Sequence, residues 1–135
     1  MYKELIVSTL IVISIIIIIL IFSLDYITQK YTDFAINEAI SNLHEIKESL
    51  KEENVDNKKA IEDAEEKYNR WLEHHKRLAF YIEHNELEKV ETNFVSGKSF
   101  IESAKYEDAI SELEKTIFIL QHINDKYSVN LENIF

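Results

Sequence analysis

From Leu5 to Leu24 every residue is apolar or carries an uncharged hydroxyl, and no charge interrupts the run of 20 positions. At about 1.5 Å per residue, a helix of that length spans roughly 30 Å, the thickness of a bilayer's hydrocarbon core. Tyr2 and Tyr26 flank the run, where amphipathic rings favour the membrane interface. A buried core helix is rarely apolar on every face. A cleaved signal peptide is the rival reading, but its apolar stretch is shorter and ends in small residues. Here the end reads Ile21-Phe22-Ser23-Leu24-Asp25. The pattern therefore predicts an uncleaved anchor over 5–24, preceded by a short tail over 1–4. Lys3 and the α-amino group place that tail in the cytoplasm and the remainder outside, by the positive-inside rule.

After Asp25 the pattern changes from continuous to periodic. Tyr31, Phe34, Ile36, Ile40, Leu43, Ile46 and Leu50 recur mostly at three- and four-residue steps, and nothing up to Glu53 breaks a helix. Residues 25–53 are thus expected to continue the membrane helix as a stalk and first bundle helix. Asn54-Val55-Asp56-Asn57 is a turn, with Asp56 or Asn57 as N-cap. A second helix over about 57–83 has the seam Ile61, Ala64, Tyr68, Trp71, His75, Leu78 and Ile82, with steps alternating three and four. The next apolar residue, Leu87, is out of phase, which marks a break near His84-Asn85. Asn85 and Glu88 have the spacing of a capping box.

A third helix over about 86–103 has the seam Leu87, Val90, Phe94, Gly97, Ile101 and Ala104. Gly97 on that seam would admit a bulky residue from a facing helix. A fourth over about 106–126 has the seam Tyr106, Ile110, Leu113, Ile117, Leu120 and Tyr127. The closing pair Ile134-Phe135 is expected to dock on the bundle. The predicted fold is all-α: a transmembrane helix running into an antiparallel bundle of three to four helices over 57–135 and the stalk. The last pair reads as a single tetratricopeptide-like unit, which alone is no array.

Composition supports this reading and narrows the function. There is no proline and one glycine, so turn-rich β folds are disfavoured. There is no cysteine, which excludes disulfides, a thiol nucleophile and cysteine-based zinc sites. The net charge is −10, and all of the excess follows the apolar run, since Lys3 and Glu4 cancel. An acidic domain repels phosphate backbones, so nucleic acid is not an expected partner.

The C-terminal half carries a recognisable order: Trp71, then 80–87 (Phe-Tyr-Ile-Glu-His-Asn-Glu-Leu), then Ala109-Ile110-Ser111-Glu112-Leu113. Phe118-Ile119-Leu120-Gln121-His122-Ile123 follows, and Leu131-Glu132-Asn133-Ile134-Phe135 closes the chain. In this order, behind a membrane anchor, the chain resembles domain-of-unknown-function family 4363, small membrane-anchored proteins of clostridia and other Firmicutes. The resemblance implies the anchor, the helical fold and a cell-envelope role. It brings no activity and no catalytic residues.

Four constellations merit a chemical reading. His84, Glu88 and Glu91, at helical spacing, could hold a divalent metal if they share a face. No HExxH motif supports this, and a solvated first turn is the plainer reading. His75 falls on the seam with His74 beside it toward solvent. A seam histidine could titrate near neutral pH and loosen the bundle, although a satisfied core histidine is the commoner case. His44 and His122 have no readable context. The aromatic set Tyr68, Trp71, Phe80, Tyr81, Phe94 and Phe100 could line a ligand groove, with core packing as the default. The acidic run Glu62-Asp63-Glu65-Glu66 among Lys58, Lys59 and Lys67 reads as an outer helix face. No phosphate loop, nucleophile elbow, calcium loop or cofactor motif is present.

The expected function is therefore non-enzymatic: a membrane-anchored envelope protein that binds another protein in or near the membrane. The alternative is a sensory or ligand-binding module for pH, a cation or a small molecule. The pattern assigns no oligomeric state.

Overall fold

The computed structural model describes residues 1–127; the expected docking of Ile134-Phe135 and the 131–135 pentapeptide fall outside them. Among the described residues the chain forms four helices and no strand: α1 (Tyr2–Ser49), α2 (Asn57–Leu78), α3 (His84–Glu102) and α4 (Tyr106–Tyr127). Packing divides the chain into two units, one up to Tyr31 and one from Thr32 onward.

The first unit is the apolar helix. None of its most hydrophobic window is buried. From Leu5 to Leu24 its large apolar side chains remain between 47% (Ile13) and 70% (Phe22) exposed, on every face. Three of the run's four hydroxyls are satisfied within the helix: Ser8 and Thr9 donate to the Leu5 carbonyl at 3.0 and 2.7 Å, and Ser14 donates to Leu10 at 2.8 Å. Internal satisfaction of this kind suits a medium that offers no hydrogen bonds.

The second unit is an up-down-up-down bundle. Its core stripe on α1 is Thr32, Ala35, Ile36, Ala39, Leu43 and Ile46, with Leu50 just beyond the helix end. Opposite it lie Ala60, Ala64, Trp71, His74 and Leu78 of α2. The α3 stripe is Leu87, Val90, Phe94, Gly97 and Ile101; that of α4 is Ala109, Leu113, Thr116, Ile117, Leu120 and Ile123. Cross-helix pairs give the order. Glu38 meets Arg70 and Glu45 meets Lys67, so α1 and α2 are antiparallel. Lys47 meets Glu114 and Asp33 meets Asn124, so α4 also flanks α1. The closest pair is α3 and α4, because Gly97 has no side chain. A Cβ there would sit 3.0 Å from Leu113 Cδ2, so Leu113 fills the expected space.

The helix ends depart from the sequence reading. α1 stops at Ser49 rather than Glu53. Leu50 still bonds to Ile46 and is buried, but Lys51, Glu52 and Glu53 offer no apolar side chain, and two acids at a helix C-terminus oppose its dipole. Asp56 is the N-cap of α2, accepting from the Lys59 amide at 3.2 Å. α2 ends at Leu78 rather than Glu83. Leaving the helix there lets Ile82 enter the core and sets the Tyr81 hydroxyl 2.5 Å from that of Thr32.

α3 starts at His84 on a Glu83 N-cap that makes no side-chain bond, so the Asn85–Glu88 capping box does not form. Ala104, expected on the α3 seam, lies beyond the helix with φ 56°. Its amide bonds to Ile101 and that of Lys105 bonds to Phe100, the two bonds of a Schellman motif. On α1 the buried stripe runs through Ala35 and Ala39, which leaves Phe34 54% exposed and Ile40 only half-buried. On α2 the buried histidine is His74, at 4% exposure, and His75 is half-buried, the reverse of the expected pair.

Candidate functional site

Two polar clusters cross the helix interfaces of the bundle. In the first, α2 places Arg70 and His74 one turn apart, both facing Glu38 of α1. Arg70 Nε and a terminal guanidinium nitrogen donate to the two Glu38 oxygens at 2.5 and 3.3 Å. His74 Nε2 lies 3.3 Å from Glu38 Oε2, and Phe34 meets the imidazole edge-on at 5.8 Å. The Arg70 hydrogen bond holds the Glu38 carboxyl below its ordinary pKa of 4.5. Burial opposes this shift, and the charges of His74 and Arg70 add to it.

The second cluster joins α2 to α3. The Tyr68 hydroxyl donates to Glu91 Oε1 at 3.1 Å, and His75 Nδ1 is 3.4 Å from Glu91 Oε2. Tyr68 packs edge-on against Phe94 at 5.2 Å, and Lys98, paired with Glu65, sits over its ring. Burial, then the hydrogen bond and charge of Glu91, push the Tyr68 phenol up to about 12. Trp71, against His75, is 1% exposed, and among the described residues its indole N–H has no hydrogen-bond partner.

The expected residues are thus only partly assembled. His84 and Glu88 approach to 3.8 Å on exposed α3, while Glu91, the third member, turns to Tyr68 and His75. Among the described residues no three His, Asp or Glu side chains converge as a metal would need. The aromatic set is divided rather than shared. Trp71 and Phe94 are core, Tyr68, Tyr81 and Phe100 are half-buried, and Phe80 is exposed. The acidic run is tied inward: Asp63 shares Lys67 with Glu45, and Glu65 holds Lys98. The Glu38–Arg70–His74 cluster was not singled out by sequence. The available signal was the i,i+4 pair of exposed Arg70 and stripe residue His74, but its partner on α1 is set only by the bundle's register.

No curated protein and no solved structure matches the chain significantly. The model of a domain of unknown function, DUF4363, matches residues 26–134, all but the first 25 residues and the last one, and the chain belongs to that family.

Proposed function

We propose that this protein is a single-pass membrane protein without catalytic activity, whose helical domain lies outside the cytoplasm and binds another protein in or near the membrane. One observation carries the reading: 16 Leu, Ile, Val and Phe side chains of the apolar helix stay about half exposed or more, beside a bundle that completes its own core. Leaving them in water costs roughly 1 kcal/mol each at half exposure, on the order of 16–20 kcal/mol together. That exceeds the net stability of a typical domain, about 5–15 kcal/mol. An apolar solvent for residues 5–24 is therefore worth more than the bundle's own fold.

The test has two parts. The protein is expected to stay with membranes through an alkaline carbonate wash, with the bundle cleaved by protease added outside intact cells stripped of their wall. Purified in mild detergent, it is expected to carry a stoichiometric membrane partner. Release by carbonate would overturn the anchor, and protection from external protease would reverse the orientation.

A second reading has its own observation. His74 is buried beside a carboxylate already paired with Arg70. The Arg70 hydrogen bond holds the Glu38 carboxyl below its ordinary pKa of 4.5, so the α1–α2 contact is a place where a sensory module would respond to acid. A monodisperse monomer without a partner, whose melting temperature falls below about pH 4.5 and loses that fall in Glu38→Gln, would favour sensing over partner binding.

A further inference from the structure

We propose that the loop between α2 and α3, residues 79–83, is a second membrane contact, with the Phe80 ring entering the headgroup–acyl boundary of the bilayer. The inference rests on the anchor reading above. Phe80 is 89% exposed, whereas Phe94, of the same type, is 1% exposed in the core. The loop around it is pinned. Ala79 and Ile82 amides bond to the His75 and Leu78 carbonyls at 2.9 Å, and Ile82 is buried. The Tyr81 hydroxyl meets Thr32, and the Tyr127 hydroxyl accepts from the Glu83 amide at 3.2 Å. With Tyr81 and Ile82 held inward, Phe80 stands outward.

The position of the loop follows from the chain. Its bond to Thr32 puts it at the end of the bundle where Thr32 lies. By sequence alone Thr32 is eight residues beyond Leu24. Eight residues reach about 12 Å as helix and at most about 28 Å fully extended. This end is therefore tethered close to the bilayer surface. The other end, with the turn after Ser49, is about 25 Å further along α1.

Charge permits this. The chain is acidic at −10, but around the loop Lys76 and Arg77 stand against Glu83 and Glu86. Lys126 bridges both of those glutamates, at 3.9 and 3.0 Å. The loop is thus locally balanced within an acidic chain, and anionic headgroups meet no net negative charge on it. The far turn, with Lys51, Lys58 and Lys59 against Glu52, Glu53 and Asp56, is balanced as well, so the tether and not the charge distinguishes the two ends. An exposed aromatic with cationic neighbours is the pattern of interfacial segments.

The chain contains no cysteine, so single labels are simple to place. Full-length Phe80→Cys and, at the far turn, Glu53→Cys each carry an environment-sensitive fluorophore. Both are reconstituted in phosphatidylethanolamine–phosphatidylglycerol vesicles that contain headgroup-proximal nitroxide lipids. Both sites are exposed, and an unchanged helical spectrum confirms the fold. The label at position 80 is expected to be blue-shifted and quenched several-fold more than that at position 53. Equal quenching at both sites, in protein that resists carbonate, overturns the inference and leaves the anchor standing. A blue-shifted label at position 80 that nitroxide lipids do not quench means that protein covers the loop, and overturns it too. Release by carbonate removes the anchor reading and this inference with it.

Discussion

Ala104 and Gly97 lie in one short stretch, and backbone propensity alone would exchange them, while packing keeps the glycine where it is. Ala104 adopts φ 56° at the αL position of a Schellman motif, where glycine meets no Cβ penalty. Ala104→Gly is expected to stabilise the bundle by roughly 0.5–1 kcal/mol, read from chemical denaturation. Gly97 sits inside α3, where alanine would gain about 1 kcal/mol in propensity. Its Cβ would nevertheless press on Leu113 Cδ2, fully buried, at 3.0 Å. Overpacking costs about 1–3 kcal/mol, so Gly97→Ala is expected to lose about 1 kcal/mol net in the same measurement. Sequence alone places Gly97 correctly, since the seam predicts a facing bulky residue. It misplaces Ala104, because an apolar residue in phase with a seam gives no sign that the helix has ended. Tyr68 adds a pH dependence at this scale. Its phenol titrates near 12 in the fold against an ordinary 10.0. Above pH 10 the unfolded chain loses this proton first, so stability falls as pH rises from about 10 to 12. Tyr68→Phe removes the group, and its alkaline denaturation curve should be flatter in that window than that of the unsubstituted protein.

At the scale of elements, all four helices were visible in the hydrophobic period, but their ends and the faces they bury were less so. Period reports which residues can share a stripe. It weighs Phe34 above Ala35 and Ala39, whereas close helix packing favours the small side chains and leaves Phe34 outside. It likewise carries α2 on to Ile82, which is buried but reaches the core from a loop. The histidine pair was inverted for the same reason: a shift of one position on the α2 stripe exchanges His74 for His75. That shift is what brings Glu38, Arg70 and His74 together, so the α1–α2 contact has an acid dependence that no single helix reveals. Glu38 has a lowered pKa in the fold, first through Arg70. Its stabilising contribution is complete above the ordinary value of 4.5. Below that, the unfolded chain takes up the proton first and the contribution is lost as pH falls through the folded pKa. Glu38→Gln is expected to be less stable at neutral pH and to decline less steeply below about pH 4.5, followed by thermal melts across acid buffers.

For the molecule as a whole, the boundary between the apolar helix and the bundle is set by where burial begins. Upstream of Thr32 no side chain is buried; from Thr32 the α1 stripe is nearly closed to water. The family match begins at residue 26, just short of that point. A fragment over 26–135 therefore keeps Thr32, with its bond to Tyr81, and the full α1 stripe. It should be soluble and melt in one cooperative transition. Trp71, the single tryptophan, reports the transition directly, because it is 1% exposed when folded and reaches water on unfolding. A fragment over 37–135 removes Thr32, Ala35 and Ile36 from the core, together with the Phe34 edge on His74. Deleting one buried isoleucine already costs about 2–5 kcal/mol. In a domain of about 100 residues, each kcal/mol moves the midpoint by about 4–8 °C. The shorter fragment should melt at least about 10 °C below the longer one, or fail to fold. Equal melting of the two would mean that the first turns of the buried stripe do not support the bundle. Aggregation of the longer fragment would mean that the bundle needs the apolar helix to fold.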